Sequence, residues 1–96
     1  MWILESELED GNRVTFRLPD GAVKTVGRSA GAEFILDVAL VSRLHCRLTA
    51  TDPGLEVVDL DSTNGTFVNG TPIKKALLQP GDRLKVGRAE LTVSRA

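Results

Sequence analysis

The fold is decided within residues 55–70, whose sequence is LEVVDLDSTNGTFVNG. Residues 55–60 and 66–68 are rich in apolar and β-branched side chains, and polar residues that favour turns separate and follow these two runs. An Asn-Gly pair is a strong signal for a tight hairpin turn, because both residues tolerate a positive φ angle. This stretch therefore predicts short strands joined by tight turns, with one polar loop between them.

The same pattern extends outward through the rest of the chain. Residues 14–18 and 23–26 alternate apolar and polar side chains around a Pro-Asp-Gly turn at 19–21, which is typical of a β-hairpin. We count about ten short strands by this pattern, and only the segment from Lys74 to Gln79 is compatible with a helical turn. The absence of a long helical periodicity predicts an all-β sandwich or barrel.

The composition limits the function classes. The chain has 96 residues, which predicts one domain over residues 1–96, and we expect this domain to be excised from, or N-terminal to, a longer protein. Twelve basic and 13 acidic residues give a formal net charge of −1. Neither sign dominates, so we expect no nucleic-acid partner and no membrane partner. The single cysteine, Cys46, forms no intrachain disulfide, and we expect it to be a core residue of a cytoplasmic (intracellular) protein.

Three segments carry more polar chemistry than a turn requires. They are Gly27-Arg28-Ser29, Ser42-Arg43-Leu44-His45 and the run from Asp61 to Thr66. Guanidinium, hydroxyl and amide groups are the donors that suit a phosphate, which carries three strong acceptor oxygens. Arginine in particular offers a fixed fork of donors. If the three segments meet, they predict a site for a phosphorylated side chain.

Taken in order, these segments resemble the forkhead-associated (FHA) domain family. The resemblance rests on Gly27-Arg28, Ser42-x-x-His45, the run from Ser62 to Gly70, and the trailing pattern Leu78-x-x-Gly81-Asp82-x-Leu84-x-Val86-Gly87. It extends from about Val23 to Val93. The resemblance implies an antiparallel β-sandwich of about eleven strands with its ligand site on loops at one end. It also implies recognition of phosphothreonine, so that the chain is expected to be a binding module for phosphorylation-dependent protein–protein interactions in signalling.

The resemblance also implies roles for single residues. It implies phosphate binding by Arg28, Ser42, Arg43 and Thr63, and binding of the peptide backbone by Asn64. We expect structural support of the site from five residues: Gly27, His45, Gly65, Asn69 and Gly70. The family often selects the residue three places after the phosphothreonine, and we expect Leu40 and Val41 to favour an aliphatic or aromatic residue there over an acidic one.

Four further expectations concern residues near these motifs. The tripeptide Val-Gly-Arg occurs at 26–28 and again at 86–88, and we expect Arg88 to be a solvated hairpin residue because no Ser-x-x-His pattern follows it. We expect the carboxylates of Asp59 and Asp61 to point away from the phosphate site, because they would repel the ligand. With one histidine and one cysteine, we expect no metal site and no cofactor. We expect the isolated domain to be a monomer.

Two other functions are compatible with the sequence. The first is a structural interaction module that binds a folded partner, or its own chain, without phosphate; the apolar Leu40 and Val41 beside the site motivate it. The second is a hydrolase that uses Ser42 and His45. Against an enzyme, the Gly-x-Ser-x-Gly pattern and its strand–turn–helix context are absent, so we expect the chain not to be an enzyme.

Overall fold

The computed structural model describes residues 1–96 and contains eleven strands, the number that the family resemblance implies. The strands are β1 (Trp2–Glu7), β2 (Arg13–Leu18), β3 (Val23–Gly27), β4 (Phe34–Ile35), β5 (Cys46–Ala50), β6 (Leu55–Asp59), β7 (Thr66–Val68), β8 (Thr71–Ile73), β9 (Lys75–Leu78), β10 (Arg83–Val86) and β11 (Ala89–Arg95).

The strands form two sheets, which confirms the predicted all-β sandwich. The first sheet has six strands in the order β2-β1-β11-β10-β7-β8, and the second has five in the order β4-β3-β5-β6-β9. Neighbouring strands are antiparallel except β3 and β4, which pair in parallel. The two-residue β4 thus departs from the purely antiparallel arrangement that we expected.

Side-chain alternation explains where the core lies. Along β10, Arg83 and Lys85 are exposed while Leu84 and Val86 are fully buried. A strand directs successive side chains to opposite faces, so the inward-facing residues of both sheets meet in one core. Full burial of a leucine such as Leu84 contributes roughly 1.5–3 kcal/mol to stability.

Cys46 belongs to this core and is fully buried. Burial, with a smaller effect from the nearby Asp59 carboxylate, raises the pKa of the Cys46 thiol to about 12. A thiol with this pKa carries almost no thiolate at neutral pH, so Cys46 is a packing residue and not a nucleophile.

The segment from Lys74 to Gln79, the only one compatible with a helical turn by sequence, contains strand β9 instead. Lysine, alanine and leucine favour helices in isolation. Here Leu78 is buried and Leu77 is exposed, and β9 completes the second sheet by pairing with β6, Leu77 opposite Glu56. Tertiary pairing therefore overrides the local propensity.

The course of the strands brings six connections to one end of the sandwich. They are β1–β2, β3–β4, β4–β5, β6–β7, β8–β9 and β10–β11. Met1 and Ala96 lie side by side at the other end, where the Ala96 amide donates to the Met1 carbonyl at 2.9 Å. The structure contains no helix that is long and apolar enough to cross a bilayer.

Candidate functional site

The loops at the end of the sandwich where these connections meet line a cavity of about 710 Å³. Residues from the β3–β4, β4–β5 and β6–β7 connections line it, among them Arg28, Ser42, Arg43, Thr63 and Asn64. The structure thus brings together all five residues that the sequence analysis assigned to phosphate and peptide-backbone binding. Their individual binding roles stay predictions.

Two backbone contacts hold the β3–β4 and β4–β5 connections together. The Arg28 amide donates to the Ser42 carbonyl at 3.0 Å, and the Ser29 amide donates to the Arg43 carbonyl at 3.2 Å. The approach is so close that a Cβ atom on Gly27 would lie 2.0 Å from the Arg43 carbonyl oxygen. Glycine is therefore required at position 27 for the close approach of these two connections.

One hydrogen bond to the backbone holds the Arg28 side chain in place. Its Nε donates to the Val41 carbonyl at 3.0 Å, while the guanidinium is exposed and forms no salt bridge. A guanidinium has five N–H donors, so four remain for a ligand. Arg43 is exposed as well and has no carboxylate partner. The two arginines bring two positively charged groups to the lining of the cavity.

The Ser42 hydroxyl is oriented by the neighbouring loop. Its Oγ accepts a hydrogen bond from the Thr63 amide at 3.0 Å. The hydroxyl proton is not used in this contact and remains free to donate to a ligand oxygen. One hydrogen bond therefore fixes the Ser42 donor and joins the β4–β5 and β6–β7 connections.

Asn64 makes a similar contact with the β4–β5 connection. Its side-chain Nδ2 donates to the Leu40 carbonyl at 3.1 Å. The second amide proton and the Oδ1 oxygen stay available, which gives one donor and one acceptor. A peptide backbone requires this combination, because each residue offers one N–H and one C=O group.

His45 links two of the loops from inside the protein. The ring is fully buried; its Nδ1 accepts from the Ser42 amide at 3.0 Å, and its Nε2 lies 2.9 Å from the Gly65 carbonyl. Because a carbonyl oxygen only accepts, Nε2 carries the proton and the ring is neutral. Both ring nitrogens are occupied by backbone groups, so His45 supports the loops and is not positioned as a base for the Ser42 hydroxyl.

Asp59 organises the β6–β7 loop, a role that the sequence analysis missed. Its Oδ1 accepts from the Ser62 hydroxyl at 2.5 Å and from the Thr66 hydroxyl at 2.7 Å, and its Oδ2 accepts from the Ser62 amide at 3.3 Å. Burial works to raise the pKa of the Asp59 carboxyl, but these hydrogen bonds and the Lys74 ammonium 3.8 Å away outweigh it and lower the pKa below its ordinary value. The Asp-x-x-Ser spacing, typical of side chains that bond a nearby amide, is the signal that could have revealed this.

The expectation that the carboxylates point away from the site is confirmed for Asp59 and stays a prediction for Asp61. Asp59 faces the protein interior, whereas Asp61 is exposed, has a φ of 53°, and lies among the residues that line the cavity. Asp37 also lines the cavity. The cavity lining therefore carries two arginines and two aspartates, and their formal charges balance.

Two further expectations concern the pairs Asn69-Gly70 and Leu40-Val41. Asn69 and Gly70 form the β7–β8 hairpin turn, with φ angles of 50° and 84°, and neither lines the cavity. Asn69 is bonded to Arg83, so this pair stabilises a hairpin remote from the site. Val41 and Leu40 both line the cavity, but Val41 is only 3% exposed and packs in the core, whereas Leu40 is 53% exposed; selection of a ligand residue by either one stays a prediction.

Arg88 differs from Arg28 despite the shared tripeptide. It lies outside the cavity, and its guanidinium approaches the Glu9 carboxylate at 3.7 Å. Both side chains are largely exposed, which agrees with the expectation of a solvated hairpin residue.

Comparisons with known proteins show the family and the fold. The FHA domain family model matches residues 24–87. The chain is 42% identical over 79 residues to an ABC transporter ATP-binding/permease protein of Mycobacterium tuberculosis, and 36% identical over 87 residues to the FHA domain-containing protein FhaA of the same organism. These matches cover 82% and 91% of the chain but only 9% and 16% of the two relatives, so the chain spans a small part of their length. A solved structure from work on phosphothreonine-dependent FHA domain interactions superposes with a TM-score of 0.83 at 30% identity, over 99% of this chain and 96% of that one.

Proposed function

Because this chain belongs to the FHA domain family, we propose that it is a binding module for phosphothreonine-containing proteins and that it mediates phosphorylation-dependent interactions in signalling. One observation carries the proposal: the donors of Arg28, Ser42, Arg43 and Thr63 line one cavity at the end of the sandwich. A phosphate offers three acceptor oxygens and about two negative charges, which these donors complement.

The hydrogen bonds of the free protein support a separate role for each of these residues. Arg28 presents its terminal nitrogens to the phosphate, and Ser42 donates its hydroxyl proton to a second oxygen. Thr63 and Arg43 line the same cavity and supply the remaining polar contacts. Asn64 holds the peptide backbone with its free amide proton and its Oδ1. Each bond to the charged phosphate contributes roughly 1.5–3 kcal/mol, which suits a reversible signalling contact.

We propose binding without catalysis for the same geometry. A serine nucleophile requires a base at its hydroxyl. The Ser42 hydroxyl is bonded by the Thr63 amide, and the His45 ring is engaged by two backbone groups. A cytoplasmic location is part of the proposal, since the fold stands without a disulfide and its one cysteine is buried.

The test compares matched peptides that contain threonine, phosphoserine or phosphothreonine, drawn from an oriented library and titrated calorimetrically. We expect binding to phosphothreonine, weaker binding to phosphoserine and none to threonine. Equal binding to all three would support the module that works without phosphate and remove the proposal.

A matched pair of variants assigns the binding to the cavity. Arg28→Ala should weaken phosphothreonine binding by more than about tenfold, which is 1.4 kcal/mol. Arg88→Ala removes the same side chain from the same tripeptide outside the cavity and should change affinity by less than about twofold. Similar losses in both variants would mean that Arg28 acts only through the net charge.

A further inference from the structure

The second Val-Gly-Arg tripeptide lies against the loop that carries Ser42. The Arg88 amide donates to the Ala39 carbonyl at 3.0 Å. Gly87 has a φ of 57°, and a Cβ atom on it would lie 2.7 Å from the Ala39 carbonyl oxygen and 2.8 Å from the Leu40 carbonyl carbon. The β10–β11 turn therefore touches the β4–β5 connection along its backbone, at a distance that only glycine permits.

The contact between the β10–β11 turn and the β4–β5 connection includes a residue with a strained backbone, Leu40. Leu40 has a φ of 69°, a left-handed conformation that is unfavourable for a residue with a side chain. Such a conformation persists when the surroundings determine it. The Leu40 side chain is 53% exposed, so core packing does not hold it in place. The backbone contacts from Gly87 and Arg88 restrain this part of the loop, together with the neighbouring Val41, whose side chain is buried in the core.

The strained segment is also the one that orients the ligand donors. The Leu40 carbonyl accepts from the Asn64 side chain at 3.1 Å, and the next carbonyl, that of Val41, accepts from Arg28 Nε at 3.0 Å. A displacement of the 39–41 backbone would turn both carbonyls and release both side chains. Precise placement matters because N–H···O hydrogen bonds require donor–acceptor distances of about 2.7–3.2 Å and weaken steeply when the angle is poor.

We propose that Gly87 is a positioning residue for the phosphopeptide site: the β10–β11 turn holds residues 39–41 so that Arg28 and Asn64 face the cavity. The two copies of the tripeptide then restrain one loop from two sides. Gly27 and Arg28 contact it at Ser42 and Arg43, and Gly87 contacts it at Ala39. This inference rests on the proposed function for its ligand, although its geometry belongs to the free protein.

The backbone of the turn, rather than the Arg88 side chain, performs this role. The guanidinium of Arg88 pairs with Glu9 at 3.7 Å, and the two side chains are 60% and 75% exposed. Exposed pairs of this kind contribute little. Arg88→Ala keeps the amide that donates to Ala39, so it should keep the affinity.

The experiment compares Gly87→Ala with Gly81→Ala. Gly81 also has a positive φ, 95°, but a Cβ atom there would meet nothing within 4 Å. Both variants therefore carry the conformational cost of alanine, and only Gly87→Ala displaces the loop. We expect Gly87→Ala to weaken phosphothreonine-peptide binding by at least about tenfold and Gly81→Ala by less than about twofold, each measured on folded protein.

A second readout needs no ligand. In the free protein, the NMR signals of the Asn64 side-chain amide and the Thr63 backbone amide should move in Gly87→Ala and stay unchanged in Gly81→Ala. If the wild-type protein binds no phosphopeptide, the proposed function fails. The NMR signals of the free protein then test by themselves whether the β10–β11 turn positions the loop. Unchanged signals in Gly87→Ala overturn the inference.

The remaining outcomes are also decisive. Wild-type affinity in Gly87→Ala overturns the inference, and a large loss in Arg88→Ala overturns the assignment to the backbone. If Gly87→Ala does not fold, Arg88→Pro replaces it. This variant removes the donated amide without adding a Cβ atom at position 87, and it is judged by the same two measurements.

Discussion

The Asp59→Asn substitution isolates the group that holds the β6–β7 loop. The Asp59 side chain is 1% exposed and accepts hydrogen bonds from the Ser62 hydroxyl, the Thr66 hydroxyl and the Ser62 amide. Hydrogen bonds to a charged group contribute roughly 1.5–3 kcal/mol, against 0.5–1.5 for neutral pairs. The Asp59→Asn variant should therefore lose about 1 kcal/mol of its free energy of unfolding for each hydrogen bond from a hydroxyl group. Its NH₂ group also faces the Ser62 amide, a donor, so we expect a total loss of about 2–3 kcal/mol.

Urea denaturation at pH 7, followed by tryptophan fluorescence, measures this loss as a lower midpoint with an unchanged slope. The effect should depend on pH in a defined direction. The pKa of Asp59 is lower in the folded protein than its ordinary value of 3.8, so its stabilisation is present above that value. The stabilisation is lost as the pH falls below 3.8 and through the lowered folded-state pKa. The stability difference between wild type and Asp59→Asn should shrink over that range.

Asp61→Asn is the matched control for this measurement. Asp61 is an exposed carboxylate two residues along the same loop, and it accepts no hydrogen bond. We expect its removal to change stability by less than about 0.5 kcal/mol. A loss below about 1 kcal/mol in Asp59→Asn, or an equal loss in both variants, would refute the role assigned to Asp59.

Three other predictions test the site from different directions. Gly27→Ala places a Cβ atom 2.0 Å from the Arg43 carbonyl oxygen. It should lower the melting temperature and weaken phosphopeptide binding more than about tenfold. Wild-type affinity by titration would contradict the close approach. His45→Phe keeps a ring but leaves the Ser42 amide and the Gly65 carbonyl without hydrogen-bond partners. Urea denaturation should therefore show that the free energy of unfolding falls by about 2–4 kcal/mol. A fall of less than half of that would count against the role of His45 in joining the two loops. Affinity for the phosphopeptide should rise between about pH 5 and 7, because the second phosphate pKa is about 6; a flat profile by calorimetry would argue against recognition of the dianion.

The strands were predictable from the sequence wherever their evidence is local. The predicted runs at residues 14–18 and 23–26 correspond to β2 (Arg13–Leu18) and β3 (Val23–Gly27), because alternation and turn residues specify them without reference to the rest of the fold. β9 was missed for the opposite reason. Its pairing with β6 joins segments about twenty residues apart, and no window of local sequence contains that information.

The candidate site shows the same division between local and distant information. The motif residues Arg28, Ser42 and Thr63 were identified from the resemblance, and the structure brings them to one cavity. The burial of Val41 and the inward orientation of Asp59 were not predictable in this way. Both depend on what packs across the sandwich, and only the three-dimensional arrangement specifies it.

The two Val-Gly-Arg tripeptides show why the loops, and not a short motif, create the site. In the first copy the Arg28 side chain is held by the loop that supplies Ser42, whereas in the second the Arg88 side chain reaches Glu9 at the protein surface. The surroundings of each copy therefore determine what its arginine does. Since Ser42 and Asn64 are already bonded to neighbouring loops in the free protein, most of the entropy of ordering them is lost during folding. Binding then orders few further groups, so more of the interaction with the phosphate should appear as affinity.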